Sequence, residues 1–122
     1  MGSVRNQLVH MMSCDDYWFS GLRGLAMPEP FDPTDFEDRA ALRTQWDEVE
    51  QGMRAYLANL RDEMLFTHPF TEGEDQALEL WQVLLHVVNH GTDHRAQLLR
   101  VLHDFGAQTG AQDYIFYVFD QL

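Results

Sequence analysis

A stretch of roughly 30 residues, from Asp75 to Phe105, repeats its apolar positions at helical intervals and predicts one helix about 45 Å long. Leu80, Leu84, Val87, Leu98 and Val101 share its apolar face, and Gly106 stands where a C-terminal cap belongs. A rod of this length needs other helices to cover it, and the chain supplies two. Residues 3–24 read as a helix with Ser3 as N-cap and Gly24 as its stop. Val4, Leu8, Met11, Met12, Trp18, Phe19 and Leu22 form its broad apolar side. Residues 34–61 read as another, capped by Thr34 or Asp35, with Leu42, Trp46, Val49, Met53, Tyr56, Leu57 and Leu60 at near-helical spacing. Gly52 weakens its middle without ending it. The intervening AMPEPFDP, residues 26–33, holds three prolines and is a loop. Residues 62–75 form a connector in which Met64, Leu65 and Phe66 suit a short extended piece. His68 precedes Pro69 there and is biased away from helix. The closing DYIFYVFDQL, residues 113–122, has strand-like content but no strand partner. It is expected as a short helix or an extended segment packed on the bundle. The fold class is therefore all-α, a helical bundle spanning residues 1–122 as one domain.

Charge narrows the function. The chain has 122 residues with 20 acidic and 8 basic side chains, a formal net charge of −12, and every basic residue is arginine. Such a chain repels a phosphate backbone, so nucleic acid is not an expected partner. No apolar run approaches the ~18 residues of a membrane span, and no secretory leader pattern opens the chain. Cys14 is alone, so no internal disulfide forms. These features point to a cytoplasmic protein.

The long helix carries His86, His90 and His94 at a strict spacing of four, running through its apolar face. A lone histidine on such a face is ordinarily a core residue paired to a backbone group. Three in a row each need partners for two ring nitrogens, and one cation satisfies several at once. Residues four apart lie about 6 Å apart along the axis and can share an ion at bonds of ~2.0–2.1 Å. His86 and His94 are separated by roughly 12 Å of rise, too far for one small site. The helix thus offers either His86–His90 or His90–His94, and a third ligand must come from elsewhere. His10 is favoured, because its amphipathic helix must pack on the long one. His68 lies on a loop, and His103 is nine residues beyond His94. Three neutral imidazoles suit zinc or nickel first, then iron, copper or manganese, and they leave an open coordination position.

Other candidates carry bland readings beside the chemical ones. Cys14, four residues after His10, suits a fourth ligand or reactive thiol, but small buried cysteines are commoner. Asp15 and Asp16 suit either orienting a ligand histidine or facing solvent. Asp93 reads as a surface group or a partner to a ligand. Glu37, Asp38, Asp47, Glu48 and Glu50 form a solvated acidic face without the E-x-x-H pattern of a di-iron bundle. No phosphate-binding glycine loop, nucleophile elbow or zinc ribbon is present.

Two stretches carry a resemblance. SVRNQLVHMMSCDDYWFSGL, 3–22, is similar to the second helix of the DinB/YfiT-like superfamily, and LLHVVNHGTDHRAQLLRVLHDFG, 84–106, resembles its last long helix with the signature N-H-x-x-x-H-R-x-Q. The resemblance covers nearly the whole chain. It implies a four-helix bundle and a metal triad of His10, His90 and His94, with His86 left beside it. Arg95 and Gln97 fall on the tail of the signature, in structural or supporting roles. It also implies a metal-dependent enzyme: a thiol S-transferase using a low-molecular-weight thiol such as bacillithiol or mycothiol, or a related hydrolase or isomerase such as maleylpyruvate isomerase. The metal would activate the thiol as thiolate. The family's link to DNA damage is one of induction.

In that family another helix ordinarily precedes the one at Ser3, and here only Met1 and Gly2 do. An absent helix leaves an apolar groove open to water. DYIFYVFDQL, a second subunit, or chain beyond a fragment would fill it, and a homodimer is the favoured expectation. Beside the enzyme stand two other functions: a non-catalytic metal-binding module, and a dimeric structural protein with vestigial histidines.

Overall fold

The computed structural model describes residues 3–122, and its described residues form four α-helices and no strand. The first, α1, runs Val4–Leu22. Ser3 caps it, its hydroxyl accepting from the Asn6 N–H at 3.1 Å. Gly24 ends it at φ 76°, a conformation that lets Leu25 N–H reach Ser20 O and Gly24 N–H reach Gly21 O. These two bonds close a Schellman motif.

The second helix, α2, spans Arg39–Ala58, five residues later in starting than the sequence suggests. Thr34 and Asp35 do not cap it. They lie in a separate 3₁₀ turn, Pro33–Asp35, capped by Asp32, whose carboxylate accepts from the Thr34 N–H at 2.9 Å. The chain then extends at Phe36, which buries its ring in the core. That burial separates the turn from α2, and Asp38 becomes the true N-cap, accepting from Ala41 N–H at 2.8 Å. The helix also stops short of residue 61, at Asn59, whose side chain donates to Ala55 O.

The connector is built of 3₁₀ turns, Asp62–Phe66 and Glu74–Ala77, so Met64–Phe66 are not extended. The long helix, α3, runs Leu80–Asp104 and begins later than Asp75. Its start is fixed from both sides. Leu80 N–H donates to Thr67 O at 2.9 Å, and Glu79 N–H donates to the Gln82 side chain at 2.9 Å. Gly106, at φ 87°, closes its end with the same pair of bonds as Gly24, from Ala107 to Leu102 O and from Gly106 to His103 O.

α1 is the hub. It packs against α2 on one side and α3 on the other, and α2 and α3 do not pack on each other. Val9, Met12, Phe36, Leu42 and Val49 form the buried cluster, with Leu8, Phe31, Trp46 and Met53 around it. Leu80 and Val83 bury the start of α3. A side chain of this size contributes ~1.5–3 kcal/mol when fully buried. The segment 113–122 forms α4, Tyr114–Gln121, a helix rather than an extended piece. It packs on no other helix, so it does not fill a groove in its own bundle. Among the described residues no helix is long and apolar enough to cross a membrane.

Candidate metal centre

The α1–α3 contact sets the site. His10 lies mid-way along α1, and His90 and His94 sit one turn apart on the facing side of α3. The three rings meet: centroids are 4.8 Å apart for His10–His94, 4.3 Å for His90–His94 and 5.4 Å for His10–His90. One ligand nitrogen from each falls within 4.8 Å of the others. Atoms that close can be spanned by one cation at bonds of ~2.0–2.1 Å after small side-chain rotations. Among the described residues no further His, Cys, Asp or Glu joins this group.

The environment suits a cation. His94 is buried, and its Nδ1 has no hydrogen-bond partner. An unsatisfied buried nitrogen costs ~1–3 kcal/mol, which a bound ion among the three rings would offset. Burial lowers the pKa of His10, and His94 beside it adds to the effect. Burial also lowers that of His90, with His94, His10 and His86 adding and Asp93 opposing. Neutral imidazole is the ligating form, so these shifts prepare the donors.

His86 stands apart. Its side chain is exposed rather than directed to the interior as its row suggested, and its ring lies against Trp18 at 5.3 Å and His90 at 5.6 Å. His68 and His103 are exposed and outside the group. Cys14 is half-buried with its Sγ 3.7 Å from His10 Nε2. Burial, with Asp15 nearby, pushes its thiol pKa up, so it is neutral rather than a thiolate. Asp16 accepts from Ser20 at 3.3 Å and faces the α1–α2 side, away from the histidines. Asp93 is exposed and accepts from Gln97 at 3.3 Å.

One feature escaped the sequence reading. A cleft of about 230 Å³ opens between α2 and α3 over α1, and His90 lines it together with Asp15, Trp46, Met53, Val88 and Arg95. Burial pushes the Asp15 carboxyl up to about 6, against the opposing pull of the Trp46 indole and Arg95. Gly91 also lines the cleft. Its missing side chain lets the Arg95 guanidinium lie back over α3, where a Cβ would come within 2.8 Å of Nη1.

The histidine geometry, the order of helices and the N-H-x-x-x-H-R-x-Q segment agree with comparison across the chain: the DinB family model matches residues 1–121. The chain belongs to the DinB family. No curated protein and no solved structure matches it. The DinB family assignment fixes the helical bundle and is consistent with a histidine metal site at His10, His90 and His94.

Proposed function

We propose that this DinB family chain is a divalent-metal-dependent enzyme of the thiol-transferase type, with His10, His90 and His94 as ligands of zinc or nickel. The observation that carries the reading is the convergence of three imidazoles from two helices, with no fourth His, Cys, Asp or Glu in the group among the described residues. Three protein ligands leave a position for an exogenous group, which is the arrangement of catalytic sites. When bound, the ion would lower the pKa of a thiol or water at that position. The chain's own part is to hold three neutral donors and to present the substrate. The lowered pKa of His10 and His90 serves the first. The cleft lined by His90 serves the second, with Trp46, Met53 and Val88 as apolar walls. Cys14, a neutral thiol, is not the nucleophile in this reading, so the thiol is a separate small molecule.

The test is metal analysis of purified protein, followed by thiol conjugation to an electrophile. One ion per chain, lost in His90→Ala together with conjugation, is the expected result. A wild-type protein that neither carries nor takes up a divalent ion would overturn the reading. A fourth protein ligand closing the site would make it a metal-binding module without catalysis.

A further inference from the structure

A thiol or water that enters the open position of the histidine site arrives with its proton and reacts only after losing it. The cleft beside His90 holds one group free to take that proton. Among the described residues, three titratable side chains line the cleft: Asp15 from α1, and His90 and Arg95 from α3. His90 is committed to the ion. Arg95 stays protonated and offers donors only. Asp15 is left, with two carboxylate oxygens that accept. Position agrees. A compact cavity of about 230 Å³ measures about 8 Å across, so Asp15 reaches a molecule held at His90 directly or through one water. The carboxyl is not spent on a structural pairing. Asp15 joins no salt bridge among the described residues, and the Trp46 indole of α2 acts on it as a donor. Its neighbour Asp16 accepts from Ser20 on the α1–α2 side instead.

We propose that Asp15 is the proton acceptor of this site. The S–H or O–H bond of the entering thiol or water breaks, its electron pair stays on sulfur or oxygen, and the proton passes to an Asp15 oxygen and then to solvent through the mouth of the cleft. The role rests on the reading of the three histidines as a metal centre. The groups facing Asp15 suit it to the task. Burial pushes its carboxyl up to about 6, while the Trp46 indole and the exposed Arg95 pull it back. Cys14 beside it is a neutral thiol. A base poised just below neutral pH is ionised there and still able to take a proton. His86 is the rival, with its ring 5.6 Å from that of His90, but it lies against Trp18 and does not line the cleft.

The test follows one proton-dependent step rather than turnover. The full chain is loaded with cobalt(II) and mixed with 2-mercaptoethanol in a stopped-flow spectrometer between about pH 5 and pH 8. A sulfur-to-cobalt charge-transfer band appears once the thiol has lost its proton. In the wild type its rate is expected to rise with pH and then level off as the carboxyl becomes ionised. Asp15→Asn slows it at least tenfold at neutral pH and removes the plateau, leaving a rate that climbs with free thiolate. Asp15→Ala is equally slow, and formate restores its rate where chloride does not. His86→Gln changes the rate less than threefold. Cobalt affinity and helical circular dichroism stay unchanged in every variant. An Asp15→Asn rate equal to that of the wild type overturns the proposal. So does a slow Asp15→Ala that formate fails to rescue, which makes the residue structural, and so does loss of the step in His86→Gln instead. Failure to take up cobalt sinks the metal reading and this role with it. Cobalt uptake with a thiol band indifferent to Asp15 sinks the role alone.

Discussion

The His10 ring of α1 meets the His94 ring of α3 edge-on, with centroids 4.8 Å apart. The contact joins α1, the floor of the cleft, to α3, one of its walls, and brings the third imidazole to the His90–His94 pair. His10 therefore acts as a ligand only through the packing of α1 on α3. His10→Ala, His90→Ala and His94→Ala should each lower metal affinity by more than the ~10–100-fold typical of groups that merely support ligands. His86→Ala should change it less than any of the three. Competition with a chromophoric chelator measures this ordering.

Acid should destabilise the metal-free protein through the same rings. The folded-state pKa values of His10 and His90 lie below the ordinary imidazole value of 6.5. Between the lowered values and 6.5 the unfolded chain binds more protons than the folded one, so stability falls as pH drops through that window. In an Asp15→Asn background, which removes the opposing titration of that carboxyl, urea midpoints should decline from pH 7.5 downward, with a shallower slope when His90→Gln is added. A midpoint that rises on acidification in that background would contradict the burial of these imidazoles.

Asp15 shifts the other way. Its carboxyl rises from 3.8 to about 6, so the folded state binds the extra proton between these values and stability falls as pH rises through them. Above pH 6 the ionised group opposes folding by up to ~3 kcal/mol. Asp15→Asn should therefore stabilise the protein at pH 7.5 and make little difference at pH 3.5. Thermal melts of both proteins at the two pH values decide it.

Much of this was legible in the chain. Ser3, Gly24 and Gly106 mark helix ends because capping is local chemistry, and the four-residue spacing of His90 and His94 fixes a ligand pair for the same reason. What failed depends on tertiary contacts. Phe36 is drawn into the core, and that sets the start of α2 at Arg39 rather than Thr34. Thr67 O holds the first turn of α3 at Leu80. His86 shares its spacing with His90 and His94 but lies where α1 presents Trp18 instead of a ligand, and no periodicity reveals that. Asp15 and Arg95 lie 80 positions apart in sequence, so their shared cleft appears only once α1 and α3 are packed.

The apolar surface of α4 bears on association. Ile115, Phe116 and Phe119 are 48%, 49% and 57% exposed, and α4 packs on no other helix among the described residues. The same chain carries an open groove on α1 and α2 lined by Leu8, Leu42 and Trp46, with Arg39 and Arg43 at its rim. The apolar helix suits the apolar part of this groove, whose rim carries Asp38 as well as the two arginines. We propose that a second copy joins them. Sedimentation velocity should give a concentration-dependent dimer that Phe116→Asp shifts to monomer. A wild-type monomer at high micromolar concentration would contradict it.

The most direct test of the metal centre is X-ray absorption at the metal edge of zinc-loaded, thiol-free protein. Three imidazole nitrogens and one light oxygen, all at ~2.0–2.1 Å and with no sulfur, are expected. A sulfur shell at ~2.3 Å, which only Cys14 or a methionine can supply, would contradict the three-histidine open site, as would fewer than three imidazoles.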